Sequence, residues 1–98
     1  MELKDKMKAI DNIVNNTLAQ DSEKTIEMIC IPATYFAGDR EYCTVIVVSE
    51  KADNIDWALE FEEKLNSINR PFLTKCMSKE AYLESNEASC TTVAWQQQ

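Results

Sequence analysis

Residues 42–49 constrain the fold of this chain more than any other segment. They read Tyr-Cys-Thr-Val-Ile-Val-Val-Ser, a run that is rich in β-branched residues and apolar at both its odd and its even positions. A strand of this kind is typical of the centre of a sheet that is covered on both faces. The rest of the chain must therefore supply neighbouring strands and covering helices.

Two amphipathic helices are predicted as the main cover. The first spans residues 3–20, where apolar residues recur at spacings of three and four. Its predicted buried stripe consists of Leu3, Met7, Ile10, Val14 and Leu18. The second begins at a cap on Asp53 or Asn54 and runs to about Asn69. Its predicted inner face consists of Ile55, Ala58, Leu59, Phe61, Leu65 and Ile68.

Three further strands are predicted, over residues 25–31, 71–77 and 90–95. Pro32 is expected to end the first of them. In that strand Ile26, Met28 and Cys30 should face one side of the sheet, and Glu27, Ile29 and Ile31 the other. Ser78 can cap a short helix through Leu83, and residues 96–98 are expected to be a frayed tail.

These elements predict a single domain over residues 1–98 with an α+β fold of α/β type. The two strands of its central β-α-β unit should be parallel. The order is α-β-β-α-β-(short α)-β, with two main helices packed on a mixed four-stranded sheet. The sequence leaves the order of the strands within the sheet open.

The expected location is the cytoplasm. No stretch approaches the ~20 apolar residues of a membrane span, and the charged first residues do not have the pattern of a secretory signal. The four cysteines (Cys30, Cys43, Cys76 and Cys90) are therefore expected to be thiols. The first three lie in predicted strands, where a thiol behaves as a small buried hydrophobe. Cys90 is expected to be more exposed than these three.

The composition argues against catalysis and against a bound cofactor. The chain has no histidine, which removes the usual general base and the commonest metal ligand. It has one glycine, so a phosphate-binding loop of the Walker or dinucleotide type is excluded. No Cys-x-x-Cys pair is present to form a zinc knuckle or a redox motif.

One loop keeps a third alternative open, a small metal-dependent enzyme or ligand-binding domain. Asp39 and Glu41 follow Gly38 just before the strongest strand. This arrangement is faintly similar to the nucleotidyltransferases, in which a glycine-containing turn leads into a strand that carries a metal-binding carboxylate pair. Here the strand itself has no carboxylate and the glycine–serine dipeptide is missing. The simpler interpretation is a solvated connection between strands.

Charge and two aromatic residues indicate candidate partner-binding residues. With 10 basic and 17 acidic side chains the net charge is −7, which disfavours direct binding to nucleic acid or to an anionic membrane. The acids of the second helix could bind a basic protein or could be a solvated face. They are Asp53, Asp56, Glu60 and Glu63. Tyr35 and Phe36 could also contact a partner, or one of them could fill the end of the core.

Two functional hypotheses follow. The first is a small acidic interaction protein that occupies a basic surface of a nucleic-acid-handling protein, as phage- or plasmid-encoded inhibitors do; this similarity is one of general character and not of motif. The second is a self-associating structural or regulatory subunit, a homodimer that pairs strands near Trp95 across a two-fold axis.

Overall fold

The computed structural model describes residues 2–33, 35, 43–50, 55–68, 72–85 and 91–97. Within these ranges the elements follow one another in the predicted order. The helices are α1 (Leu3–Gln20), α2 (Ile55–Asn66) and α3 (Lys79–Glu84), and the strands are β1 (Ile26–Pro32), β2 (Cys43–Ser49), β3 (Phe72–Met77) and β4 (Thr92–Gln96). The predicted α+β fold, a mixed four-stranded sheet with helices packed on it, is confirmed.

The strand order in the sheet is β3-β2-β1-β4. β1 is antiparallel to both of its neighbours, β2 and β4, while β2 and β3 are parallel and are connected through α2. The predicted parallel pairing of the β-α-β unit is therefore confirmed. β2 lies inside the sheet, as its apolar residues indicate, and β3 and β4 form the two edges of the described sheet.

The larger part of the core lies between the sheet and the helices α1 and α2. Both helices present a stripe of apolar residues to one face of the sheet, because their inward residues recur every three or four positions. The buried members from the helices are Ile10, Val14, Leu18, Phe61 and Leu65, and those from the strands include Ile29, Ile31, Val45, Val47 and Phe72.

The short helix α3 covers part of the opposite face. Ser78 caps it as predicted, since its Oγ accepts a hydrogen bond from the backbone N–H of Ala81 at 3.2 Å. Tyr82 is the buried residue of this helix. It packs in a second, smaller cluster that consists of Cys30, Ile46, Val48, Met77 and Tyr82. Both faces of β2 are thus buried.

A β-bulge in β1 overturns one predicted side-chain direction. Ile26 pairs with Ser49 and Met28 pairs with Val48, so β1 has one more residue than β2 over this stretch. The extra residue rotates Ile26 into the large cluster with Ile29 and Ile31. The prediction that Ile26 faces the same side as Met28 and Cys30 was therefore wrong, because strict alternation does not hold across a bulge.

Two residues that were predicted to be buried are exposed. Met7 is 42% exposed and Leu59 is 56% exposed. Met7 lies on the flank of α1 beside the edge strand β4, where no further described strand covers it. Leu59 lies about 200° around the helix from the fully inward Phe61. Both stripes are therefore narrower than the periodicity indicated.

Several element ends differ from the prediction. α2 ends at Asn66 and not at Asn69, and Pro32 belongs to β1. Pro32 pairs with Thr92 of β4, and the next residue, Ala33, still donates its N–H to the carbonyl oxygen of Thr91 at 3.0 Å. Alternate residues of β1 turn their backbone N–H and C=O groups to β4, and Ala33, directly after the strand, continues this alternation. Pro32, one position earlier, does not turn its backbone groups to β4, so its lack of an N–H costs no hydrogen bond to β4.

Two residues of the expected tail over residues 96–98 make contacts with the rest of the described chain. Gln96 pairs with Met28 within the sheet. Gln97 donates its backbone N–H to the carbonyl oxygen of Glu27 at 2.9 Å, and its side-chain amide donates to the carbonyl oxygen of Leu18 at 3.2 Å. Gln96 and Gln97 thus have partners in β1 and α1, and Gln98 lies outside the described residues.

The cysteines of the strands behave largely as predicted. Cys30 and Cys43 are buried and Cys76 is half-buried, and none of the three forms a disulfide. Burial raises the pKa of the Cys30 thiol, although hydrogen bonds with Tyr82 and Thr92 oppose this, and burial also raises the pKa of Cys76. Cys90 lies outside the described residues. No helix in the described ranges combines the length and the apolar character needed to cross a membrane.

Candidate protein-interaction surfaces

The first candidate surface is the outer face of α2, which consists of Leu59, Glu60 and Glu63. The helix turns Ala58, Phe61 and Leu65 into the core, and the three residues of the outer face point away from the sheet. Leu59 and Glu63 are four positions apart and therefore neighbours on the helix surface. The exposed leucine thus lies beside the exposed carboxylate of Glu63.

The structure describes the side chains of two of the four predicted acids. Glu60 and Glu63 are exposed on the outer face of α2, as predicted. Asp56 belongs to α2, but its side chain lies outside the described parts of the chain, and so does the whole of Asp53. Lys64 lies close to Glu60, with 3.6 Å between Nζ and Oε1. Exposed pairs of this kind contribute only about 0.3–0.5 kcal/mol, so Glu60 can exchange this partner for another.

A different flank of α2 is occupied by contacts with the edge strand β3. The side-chain amide of Asn66 accepts from the N–H of Phe72 and donates to its carbonyl oxygen. Glu62 accepts from the backbone N–H of Thr74. Sequence analysis missed both residues, because Glu62 resembles the other acids of the helix until the position of β3 is known.

Tyr35 lies in the core and not on a surface. Its side chain is only 6% exposed, and its ring centroid is 4.9 Å from that of Phe72. Nζ of Lys6 lies 5.9 Å from the centroid of the Tyr35 ring. Tyr35 is thus the aromatic residue that fills the end of the core. Its ring is too buried to be part of a partner-binding surface. Phe36, Asp39 and Glu41 lie outside the described residues.

The second candidate surface is the free edge of β4 with the adjacent flank of α1. Trp95 packs against the large core cluster, and its indole Nε1–H donates to Oδ1 of Asp11 at 2.8 Å. Trp95 therefore covers the core at the β4 edge of the sheet. An open depression of about 300 Å³ separates α1 from β4 here. It is lined by Met7, Lys8, Asp11, Val93 and Trp95.

The backbone of β4 presents alternate residues to the free edge. The backbones of Thr91 and Gln97 are hydrogen-bonded to the β1 side. Because every second residue of a strand faces the same neighbour, Val93 and Trp95 also turn their backbone groups to β1. Thr92, Ala94 and Gln96 consequently turn their N–H and C=O groups outward. Ala94 and Gln96 are exposed. The sequence suggested strand pairing near Trp95, but only the strand order shows that β4 is an edge strand of the described sheet.

A groove of about 410 Å³ lies between α3 and the ends of β1 and β4. Its lining includes Lys24, Lys79 and Glu27. Lys24 has a φ of 53°, in the left-handed region that side chains with a Cβ seldom occupy. Because both signs of charge share this groove, it favours neither anionic nor cationic ligands.

Metal-ligating side chains do not cluster in the part of the chain that the structure describes: no group of three or more carboxylates or thiols there could hold an ion. No family model matches this sequence, and neither the curated proteins nor the solved structures contain a significant match to it.

Proposed function

We propose that this chain is a non-enzymatic interaction protein of the cytoplasm that occupies a basic surface on a nucleic-acid-handling protein. The outer face of α2 would make the contact. One observation supports this assignment: Leu59 is 56% exposed and shares the outer face of α2 with the exposed carboxylates of Glu60 and Glu63. An apolar residue beside two carboxylates suits a partner surface that offers a small apolar pocket next to lysines and arginines.

The proposed mechanism is competition with nucleic acid. The carboxylates of Glu60 and Glu63 would replace phosphates as partners of the basic side chains. Leu59 would supply the part of the contact that excludes water. The net charge of −7 would accelerate the encounter with a basic partner over a longer range. An inhibitor of the type encoded by phages or plasmids would act in this way.

The experiment that tests this proposal is affinity capture from lysate of the native host, followed by elution with a nucleic-acid duplex. The wild-type chain is compared with a Glu60→Lys/Glu63→Lys variant and with Leu59→Ser. We expect the wild type to hold a basic protein that the duplex displaces. We also expect this protein to be released as salt rises from about 0.05 M to about 0.5 M, because salt screens exposed charges. Both variants should lose it.

A Glu80→Lys/Glu84→Lys variant is the matched control. Both residues are exposed on α3, so this variant changes the net charge by the same amount without altering the outer face of α2. It should retain the partner. If it loses the partner to the same extent as Glu60→Lys/Glu63→Lys, binding depends only on overall charge and the assignment to α2 is wrong. A captured protein that the duplex does not displace would contradict the competitive mechanism.

A further inference from the structure

We infer that the free edge of β4 is a self-association surface, at which a second copy of this chain adds its own β4 antiparallel to the first. This inference does not depend on the acidic surface of α2. The two-fold axis would pass beside Ala94 and perpendicular to the sheet. Two four-stranded sheets would then form one continuous sheet of eight strands.

The two edges of the sheet are protected to different degrees, which is the first observation behind this inference. At β3, side chains from α2 bond the outward N–H and C=O of Phe72 and the outward N–H of Thr74. β4 reads Thr-Val-Ala-Trp-Gln and has no charge, proline or bulge, the features that usually keep an edge strand from pairing. None of the hydrogen bonds found in the described chain joins the outward backbone groups of β4 to another element.

The alternation of inward and outward backbone groups along β4 suits antiparallel pairing with the β4 of a second copy. With the axis at Ala94, the outward residues Thr92, Ala94 and Gln96 of one copy face Gln96, Ala94 and Thr92 of the other. All three outward positions then form hydrogen-bonded pairs, and the small side chain of Ala94 leaves room at the axis. Val93 would lie opposite Trp95 of the second copy in the closer, non-hydrogen-bonded spacing, where an aromatic residue beside a β-branched one is favourable.

The charges on α1 complement each other across the same axis. Asp11 contacts Trp95 and the carbonyl of Leu18 contacts Gln97, so α1 runs in the direction of β4. Ala94 comes one residue before Trp95, a distance of about 3.3 Å along the strand. Because a helix rises about 1.5 Å per residue, the point of α1 beside Ala94 lies about two residues before Asp11. Lys8 and Asp11 therefore lie on either side of the axis, and each would face its opposite charge on the second copy.

The exposed methionine of α1 fits the same arrangement. Met7 is exposed and lines the depression beside β4 together with Val93 and Trp95. Two copies related by the axis would bring the two α1 helices side by side on one face of the joined sheet. Apolar surface of Met7 and Trp95 would then be removed from water on both copies.

The experiment is sedimentation and light scattering of the chain from about 1 μM to about 500 μM, which covers dissociation constants typical of weak dimers. We expect the wild type to approach the mass of two chains as concentration rises. Ala94→Lys places two like charges opposite each other at the axis, so its self-association should be about tenfold weaker or more. Leu73→Lys is the matched control, because Leu73 is exposed on the other edge strand and should leave the association unchanged.

A charge exchange on α1 tests the orientation. Lys8→Glu and Asp11→Lys should each weaken self-association, because each places like charges across the axis. An equimolar mixture of the two variants restores an attractive pair on both sides and should form a mixed dimer. Folding of each variant is followed by its thermal transition, and Ala94→Lys tests the same surface without altering the contact between Asp11 and Trp95.

Amide hydrogen exchange provides a readout within one molecule. The amides of Thr92, Ala94 and Gln96 should become slower to exchange as concentration rises, whereas those of Val93 and Trp95, which bond to β1, should be protected at every concentration. A wild type that keeps the mass of one chain over the whole range overturns the inference and leaves the edge to a strand of another protein. A dimer that Ala94→Lys does not weaken overturns it as well.

Discussion

Glu62 accepts a hydrogen bond from the backbone N–H of Thr74, with 2.6 Å between Oε1 and N, and so joins α2 to the outer side of the edge strand β3. One turn later on the same helix, Asn66 bonds both backbone groups of Phe72, with 3.4 Å between its Nδ2 and the carbonyl oxygen. Side chains of a helix thus take the place that a neighbouring strand would occupy. This contact closes one edge of the sheet and gives Glu62 a role that its exposed neighbours on α2 lack.

The first prediction concerns the closure of this edge. Glu62→Ala should lower the free energy of unfolding by about 1–2 kcal/mol, because the partly buried N–H of Thr74 loses its acceptor. Urea unfolding followed by circular dichroism measures this change. Glu63→Ala is the matched control: Glu63 is exposed one position further along the helix, and its replacement should change the stability by less than about 0.5 kcal/mol. Equal losses in the two variants would show that the hydrogen bond is not what stabilises this edge.

The second prediction is a pH dependence that originates from Asp21. Partial burial alone would raise the pKa of Asp21, but hydrogen bonds from Ile26, Thr25 and Gln97 together hold the pKa below 3.8. The strongest of them is short, with 2.7 Å between the backbone nitrogen of Ile26 and Oδ2 of Asp21. The carboxylate thereby joins the end of α1 to the start of β1, and Gln97 connects it to the end of β4.

Because the pKa of Asp21 is lower in the folded chain than in the unfolded chain, its ionisation stabilises the fold at pH values above 3.8. This contribution is lost as the pH falls below 3.8 and through the folded-state pKa. Asp21→Asn should be less stable than the wild type at pH 7, and the difference should shrink as the solution is acidified. Urea unfolding of both chains between about pH 7 and about pH 2.5 measures this. A difference that stays constant down to the lowest pH would contradict the assignment to the charge of Asp21.

The third prediction compares two adjacent residues of α3. Tyr82 is 8% exposed and covers Cys30, Ile46 and Val48, whereas Leu83 is 63% exposed. Tyr82→Ala should lower the free energy of unfolding by about 3 kcal/mol, since it leaves a cavity over the second face of the sheet. Leu83→Ala should have little effect on stability. Thermal unfolding of the two variants checks this, and a similar loss for both would mean that α3 does not cover the sheet as described.

The local periodicities were sufficient to predict the elements and their order. The apolar run now found in β2 predicted a strand buried on both faces, and α1 has the predicted bounds. The cap at Ser78 was also predictable, because a serine before a helical segment satisfies a backbone N–H from within the same few residues. These features depend on interactions between residues that are close in sequence.

The candidate surfaces were predictable only in part. Spacing alone was enough to place Glu60 and Glu63 on one exposed face of α2. Leu59 and Met7 were assigned to the core, because an apolar residue beside a buried stripe has the same local pattern whether or not another element covers it. Tyr35 was left between two alternatives for the same reason, and its contact with Phe72 of β3 decided its place in the core.

The sequence by itself determined the helices and strands, their order and the residues that face inward at the centre of each helix. Only the tertiary structure decided that β4 pairs with β1, that a bulge turns Ile26 into the larger cluster, and that Glu62 bonds Thr74. The physical reason is that periodicity records the side-chain pattern along one element. Burial and backbone pairing depend instead on which distant element comes to lie beside it, and that choice is made by the packing of the whole chain.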